Sequence, residues 1–241
     1  MFERLPLFIK KVLAWSVHLF TATGAIWGFL SLMAIFEENW RVAIIWMIIA
    51  MFVDGFDGML ARWFHVKEYA KGVDGGLMDN IIDYLNYVVV AAFILIKAPN
   101  LLPAGFEMIG AFSILLTSAY QFSQVDAKAD EQSFFFKGFP SVWNFLAIYM
   151  MLLGLNPWFN FAILIVCNIL VFVPVKYIYP SRNTRLRRLT LVLTYLYGGI
   201  GVWGLTQYPS VPQWIVWISL LYVAYYVLLS FFPKIGSVEL A

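Results

Sequence analysis

The sequence is short of charge, of cysteine and of histidine. Only 12% of its 241 residues are charged, against roughly 25% in a soluble domain. The formal net charge is +2, so there is no basic surface to track a nucleic-acid backbone. A single cysteine, Cys167, excludes an internal disulfide; inside the sixth apolar run it reads as a small packing residue. The two histidines, His18 and His65, have no metal-ligand spacing to each other. His18 is expected to pack within the first apolar run and His65 to lie at an interface. No internal repeat and no low-complexity tract is present, and the longest polar connection is residues 123–138. What is plentiful is apolar surface: 62% of residues are hydrophobic and 19% aromatic. That balance excludes a soluble domain and a disordered chain, and leaves an all-α, multipass membrane protein.

A lipid-facing helix needs about 20 apolar residues and must satisfy its own backbone hydrogen bonds. About eight spans are expected, over residues 12–36, 42–60, 77–96, 106–122, 141–153, 158–177, 189–206 and 214–232. Glu37-Glu38-Asn39, Pro99-Asn100, Pro103, Asn156-Pro157, Pro209 and Pro212 punctuate them. With eight spans, all the lysines and arginines except Arg41 and Lys97 fall on the side of the N-terminus. By the positive-inside rule that side is cytoplasmic, as are both termini. The first run continues too far for a cleaved signal peptide, so a retained helix is expected, with residues 2–9 lying in the interface. The whole of 1–241 reads as a single membrane domain.

The scarce acids are not scattered. Asp54 and Asp57 lie near the cytoplasmic end of the second span, and Asp79 and Asp83 at the start of the third. Aspartate at membrane depth is expensive and marks a functional site by default. Asp54 and Asp57 are three apart; Gly58 and Ala61 continue the stripe towards Arg62; Gly75, Asp79 and Asp83 follow in steps of four. Each set shares a helix face. Four converging carboxylates repel one another unless a cation intervenes, and oxygen-only ligands suit Mg²⁺, Mn²⁺ or Ca²⁺. Small residues let a bulky ligand approach the backbone, and Arg62 offers a fork for phosphate. Together these point to a diphosphate-bearing substrate. Two other readings stand beside it: solvated helix ends paired with Arg62, Lys67 and Lys71, or a cation or proton pathway.

The stretch from Asp54 to Asp83 resembles the signature of the CDP-alcohol phosphotransferase family, D-x-x-D-G-x-x-A-R, a spacer, then G-x-x-x-D-x-x-x-D. Asp54, Asp57, Gly58, Ala61, Arg62, Gly75, Asp79 and Asp83 fill every fixed position. The resemblance implies that Asp54, Asp57 and Asp79 bind metal, Mn²⁺ or Mg²⁺ and two ions in number, with Asp83 completing the second site and serving as general base. It implies that Gly58, Ala61, Arg62 and Gly75 hold the nucleotide lipid, CDP-diacylglycerol. The spacer, residues 63–74, is longer than in many family members and resembles that of bacterial members that use choline. So does the expected span number, a six-helix core common to the family plus two C-terminal spans, and so does the run from Phe136 to Asn144. The implied reaction transfers the phosphatidyl group from CDP-diacylglycerol to choline, giving phosphatidylcholine and CMP. The implied setting is a homodimer in the bacterial inner membrane.

A quaternary ammonium is held by aromatic faces and carboxylates. Candidates are Tyr84 and Tyr87 after Asp83, Tyr120, the run Phe134 to Phe136, Trp143 and Asn144, with Asp126, Asp130 and Glu131 supplying charge. Tyr84, Trp143 and Glu131 are favoured. Lys128 and Lys137 suit the CDP phosphates, or else a solvated loop. The cluster Arg182, Arg185, Arg187 and Arg188 reads as topology and headgroup contact. Serine, inositol phosphate or glycerol phosphate are alternative acceptors; phosphorylated ones would need a more basic pocket. A cation-transport protein is the alternative of a different class.

Overall fold

Pro6 presets the entry of the first helix, with φ −56° at its N-cap. In the computed structural model, which describes residues 2–124, 135–173, 176–178 and 187–231, the chain divides into two units, Met1–Val90 and Ala91–Ala241.

The first unit opens with a 3₁₀ turn, Phe2–Arg4, followed by α1 (Leu7–Phe36), α2 (Trp40–Trp63), α3 (Val66–Tyr69) and α4 (Gly75–Asp83), then a π-helical turn, Tyr84–Val89. Helix α1 starts before the expected residue 12, and the interfacial piece expected over 2–9 shrinks to the 3₁₀ turn. Lys10 does not break the helix, because its ammonium has somewhere to go: it sits 5.8 Å from the Phe2 ring centroid and 5.5 Å from that of Tyr69. Glu38 takes a left-handed φ of 56° in the turn after α1. Asn39 then caps α2, its side chain accepting from the Val42 N–H at 3.4 Å. Asp74 caps α4, accepting from the N–H groups of Gly76 and Leu77 at 3.0 Å each. That cap sets the helix start at Gly75, ahead of the expected 77.

Helix α1 packs through a face of small and polar residues. A Cβ at Gly24 would lie 2.6 Å from Ile82 Cγ2, and one at Gly28 would lie 2.6 Å from Asn86 Oδ1. Only glycine permits that approach. Asn86 Nδ2 bridges it, donating to the Gly24 carbonyl at 3.1 Å and to the Ile82 carbonyl at 3.0 Å. The residues between α2 and α4 are anchored rather than looped out. Val66 and Ala70 are buried with Ala14 and Val17, and Leu60, Ala61, Phe64 and Tyr69 pack around them. His65, with φ 49°, stacks on Phe2 at 5.4 Å.

After α5 (Val90–Lys97), whose first residue ends the first unit, the second unit contains α6 (Glu107–Ser123), β1 (Phe135–Lys137), α7 (Trp143–Leu153), α8 (Pro157–Phe172), β2 (Lys176–Ile178), α9 (Arg187–Leu205) and α10 (Gln213–Phe231). Asn156 caps α8 with Pro157 in its first turn. The expected sixth span, 158–177, ends early. Helix α8 stops at Phe172, and Val173 is extended, φ −83° and ψ 125°, as the residue before Pro174 prefers. Lys176–Ile178 then pairs antiparallel with Phe135–Lys137, Lys137 opposite Lys176. Among the described residues, the helical chain thus carries one short two-stranded ladder.

Among the described residues, three helices are long and apolar enough to cross a membrane: Leu7–Phe36, Trp40–Trp63 and Gly75–Lys97. Trp143–Leu153, Pro157–Phe172 and Gln213–Leu229 are apolar but shorter. The other five expected spans overlap α6 to α10, none of which is among those three helices.

Candidate metal centre

Helix geometry brings three of the four acids together. Asp54 and Asp57 project from one face of α2, and Asp79 from the second turn of α4. One carboxylate oxygen from each lies within 4.8 Å of the others. Among the described residues, this is the only such group of three acidic, histidine or cysteine side chains. Asp57 is buried, with 8% of its surface exposed, and Asp54 and Asp79 are partly buried. Three carboxylates this close, away from bulk water, repel strongly. Their donor set is all oxygen, drawn from two helices, which fits a hard divalent cation. Asp83 lies one further turn along α4, partly buried and outside the group of three.

The surroundings are built by α1 and by the helix that carries Asp79. Thr21 of α1, buried, hydrogen-bonds through its hydroxyl to the Asp57 carboxylate. The Tyr87 hydroxyl donates to Asp54 Oδ2 at 2.7 Å. His18 is buried one turn before Thr21, and among the described residues its Nε2 has no hydrogen-bond partner. Its ring lies against Gly75: a Cβ there would be 3.1 Å from His18 Cε1. His18 is therefore packed in the first span, as expected, but it is packed at the start of α4.

Among the small residues, Gly55 has open space where a Cβ would stand. A Cβ at Gly58 would meet Arg62 Nη1 at 3.5 Å, so the exposed arginine folds back over that glycine. Ala61 is partly buried in the packing around Ala14 and Val17. These positions share one helix end with Asp54 and Asp57.

Residues considered for choline separate. Tyr84 follows Asp83 within the π-helical turn and is partly buried. Trp143 belongs to the second unit and is 1% exposed; its indole N–H donates to Ser118 Oγ at 2.6 Å, and its ring packs on Phe139 at 4.9 Å. Asn144 is buried and its Oδ1 accepts from the Phe145 N–H at 2.8 Å. Tyr120 is exposed on α6 and tilts against Phe172. Lys137 lies in β1. Asp126, Lys128, Asp130, Glu131, Phe134, Arg182 and Arg185 lie outside the described residues.

Three contacts escaped the sequence reading: Thr21 on Asp57, His18 on Gly75, and the Tyr87 hydroxyl on Asp54. A signal for the first two exists in α1, where His18, Thr21, Gly24, Gly28 and Ser31 recur at helical spacing through an otherwise apolar run. Such a stripe marks a helix face packed on protein rather than on lipid.

The chain is similar to known proteins. Residues 16–175 match the profile of CDP-alcohol phosphatidyltransferase. The chain is similar to the phosphatidylcholine synthase of Legionella pneumophila, 42% identical over 91% of this chain and 88% of that one. It is similar to the phosphatidylcholine synthase of Mesorhizobium japonicum, 40% identical over 85% of this chain and 77% of the relative. It is also similar to that of Agrobacterium fabrum, 31% identical over 98% of each. With its signature complete, its acids convergent and most of its length matched, the chain belongs to the CDP-alcohol phosphatidyltransferase family.

Proposed function

We propose that the chain is a phosphatidylcholine synthase, transferring the phosphatidyl group of CDP-diacylglycerol to choline and releasing CMP. The observation that carries this reading is the meeting of Asp54, Asp57 and Asp79 within 4.8 Å, inside a complete family signature. Relatives named phosphatidylcholine synthase, matched over most of both chains, support choline as the acceptor.

Asp54, Asp57 and Asp79, with Asp83, would hold Mg²⁺ or Mn²⁺, two ions in our reading. When bound, the metal supplies charge neutralisation at the diphosphate and at the departing CMP. The chain's own residues do the rest. Asp83 takes the proton from the choline hydroxyl. The freed oxygen forms a bond to the phosphorus that carries diacylglycerol, and the bond from that phosphorus to CMP breaks, CMP keeping the electron pair. Gly58, Ala61, Gly75 and Arg62 are our candidates for holding the nucleotide lipid, and Lys128 and Lys137 are our further candidates for its phosphates. Tyr84, Trp143 and Glu131 are our candidates for the ammonium group, and Tyr84 stands next to the base in sequence. Serine, inositol phosphate or glycerol phosphate would use the same chemistry. A transport protein would use the acids as a cation site without turnover.

The surrounding architecture belongs to the same proposal: one membrane domain of about eight spans in the bacterial inner membrane, acting as a homodimer, with termini and site on the cytoplasmic face. The distribution of basic residues supports that orientation.

The test incubates purified protein with CDP-diacylglycerol, Mn²⁺ or Mg²⁺, and each alcohol in turn, and measures CMP. Release with choline, and little with the others, is expected. Release with serine alone would move the acceptor; no CMP with any alcohol would leave the transport reading.

A further inference from the structure

The stripe that begins at Gly75 does not stop at Asp83. Gly75, Asp79, Asp83 and Tyr87 follow one another in steps of four. In an unbroken α-helix such a stripe drifts, because four residues turn about 40° more than a full circle. The π-helical turn Tyr84–Val89 carries more residues per turn and opposes the drift just after Asp83. Tyr87 consequently faces α2, where its hydroxyl donates to Asp54 Oδ2 at 2.7 Å. That is the short distance of a charge-assisted bond. Its neighbour Asn86 is turned the other way, onto the Gly24 carbonyl of α1.

We propose that Tyr87 is a positioning residue for the metal centre, holding the Asp54 carboxylate in the orientation that faces Asp57 and Asp79. The inference rests on the divalent-metal reading of those acids given above. A phenol suits the task better than a cation. It fixes the carboxylate plane with one O–H donor, while the carboxylate keeps lone pairs for a metal. It adds no charge, whereas a lysine there would neutralise the acids and compete with the ion. Partners behind a metal ligand are commonly worth about 10–100-fold in metal affinity.

The test is Mn²⁺ binding to purified protein without lipid substrate, read from the electron paramagnetic resonance signal of free Mn²⁺. Tyr87→Phe is expected to weaken binding about 10–100-fold. Asp54→Asn should weaken it at least as much, and Tyr87→Phe added to Asp54→Asn should change it by less than about twofold, because both act through one carboxylate. Equal affinity in wild type and Tyr87→Phe would overturn the inference while leaving the metal reading intact. Full additivity of the two substitutions would overturn it as well. A Tyr87→Phe protein that aggregates, or loses cooperative unfolding, would assign the hydroxyl to the fold instead. Wild-type protein that binds no Mn²⁺ would sink the metal reading, and this inference with it.

Discussion

The two units use polar side chains in opposite ways. In Met1–Val90 two polar groups point at acids: Thr21 at Asp57 and Tyr87 at Asp54. In Ala91–Ala241 neutral groups satisfy one another. Asn168 joins Ser113 and Thr117, Ser118 joins Ser141 and Trp143, and Thr194 joins Tyr222. Neutral pairs of this kind hold helices together where lipid offers no hydrophobic drive. Carboxylates gathered at one helix end have no such use, because mutual repulsion costs stability. The difference teaches that polarity inside an apolar helix is ambiguous by itself. What decides between glue and chemistry is whether the groups cancel one another's needs or share one.

The comparison breaks most sharply at Asp79. Asp79→Asn keeps the shape and removes one charge from the cluster. A loss of CMP release of about 100-fold or more is expected, the scale of removing a group that stabilises developing charge. Helix content by circular dichroism should be unchanged. Near-normal activity in this variant would place the chemistry elsewhere.

Gly24 tests the first unit's packing without touching the acids. A methyl at this position would be 2.6 Å from Ile82 Cγ2, so α1 and α4 must separate or Ile82 must change rotamer. Gly24→Ala is expected to cost about 1–3 kcal/mol, the usual price of overpacking. Thermal unfolding in detergent measures it. Activity should fall with stability, since Ile82 stands beside Asp83. An unshifted transition would mean that the crossing is looser than the structure has it.

The acids were legible in the sequence because they violate their surroundings. Carboxylates in apolar runs, spaced by three and four, announce a shared helix face before any fold is known. The start of α4 was nearly legible too, since Asp74 before Gly75-Gly76 is a capping residue. The end of α8 was legible in principle from Pro174, but the apolar run continues past it and hid the break. What could not be read was any contact set by the crossing of helices. Thr21 meets Asp57 where α1 packs on α2, and His18 meets Gly75 on the side where Gly24 and Gly28 bring α1 close to Ile82 and Asn86. Tyr87 reaches Asp54 only with the π-helical turn, and nothing in Tyr-Leu-Asn-Tyr-Val-Val encodes that turn locally. The sequence placed Tyr87 among many aromatics; in the structure its hydroxyl donates to Asp54.

The smallest effect is expected in the second unit, at the join between α9 and α10. Thr194 Oγ1 lies 2.7 Å from the Thr190 carbonyl and 2.7 Å from the Tyr222 hydroxyl, and the Tyr222 ring stacks on Tyr197 at 4.5 Å. Thr194→Val keeps the volume and deletes the hydroxyl, while Tyr222→Phe deletes the partner and keeps the stack. A double-mutant cycle should return a coupling of about 0.6 kcal/mol, the average for polar pairs between membrane helices. In Tyr222→Phe the Thr194 hydroxyl keeps its bond to the Thr190 carbonyl, and neither change should exceed about 1 kcal/mol. Turnover per folded molecule should stay at the wild-type value throughout. If instead Thr194→Val lowered turnover without lowering stability, the pair would be serving the reaction, and the division between acids for chemistry and neutral pairs for cohesion would fail in the second unit.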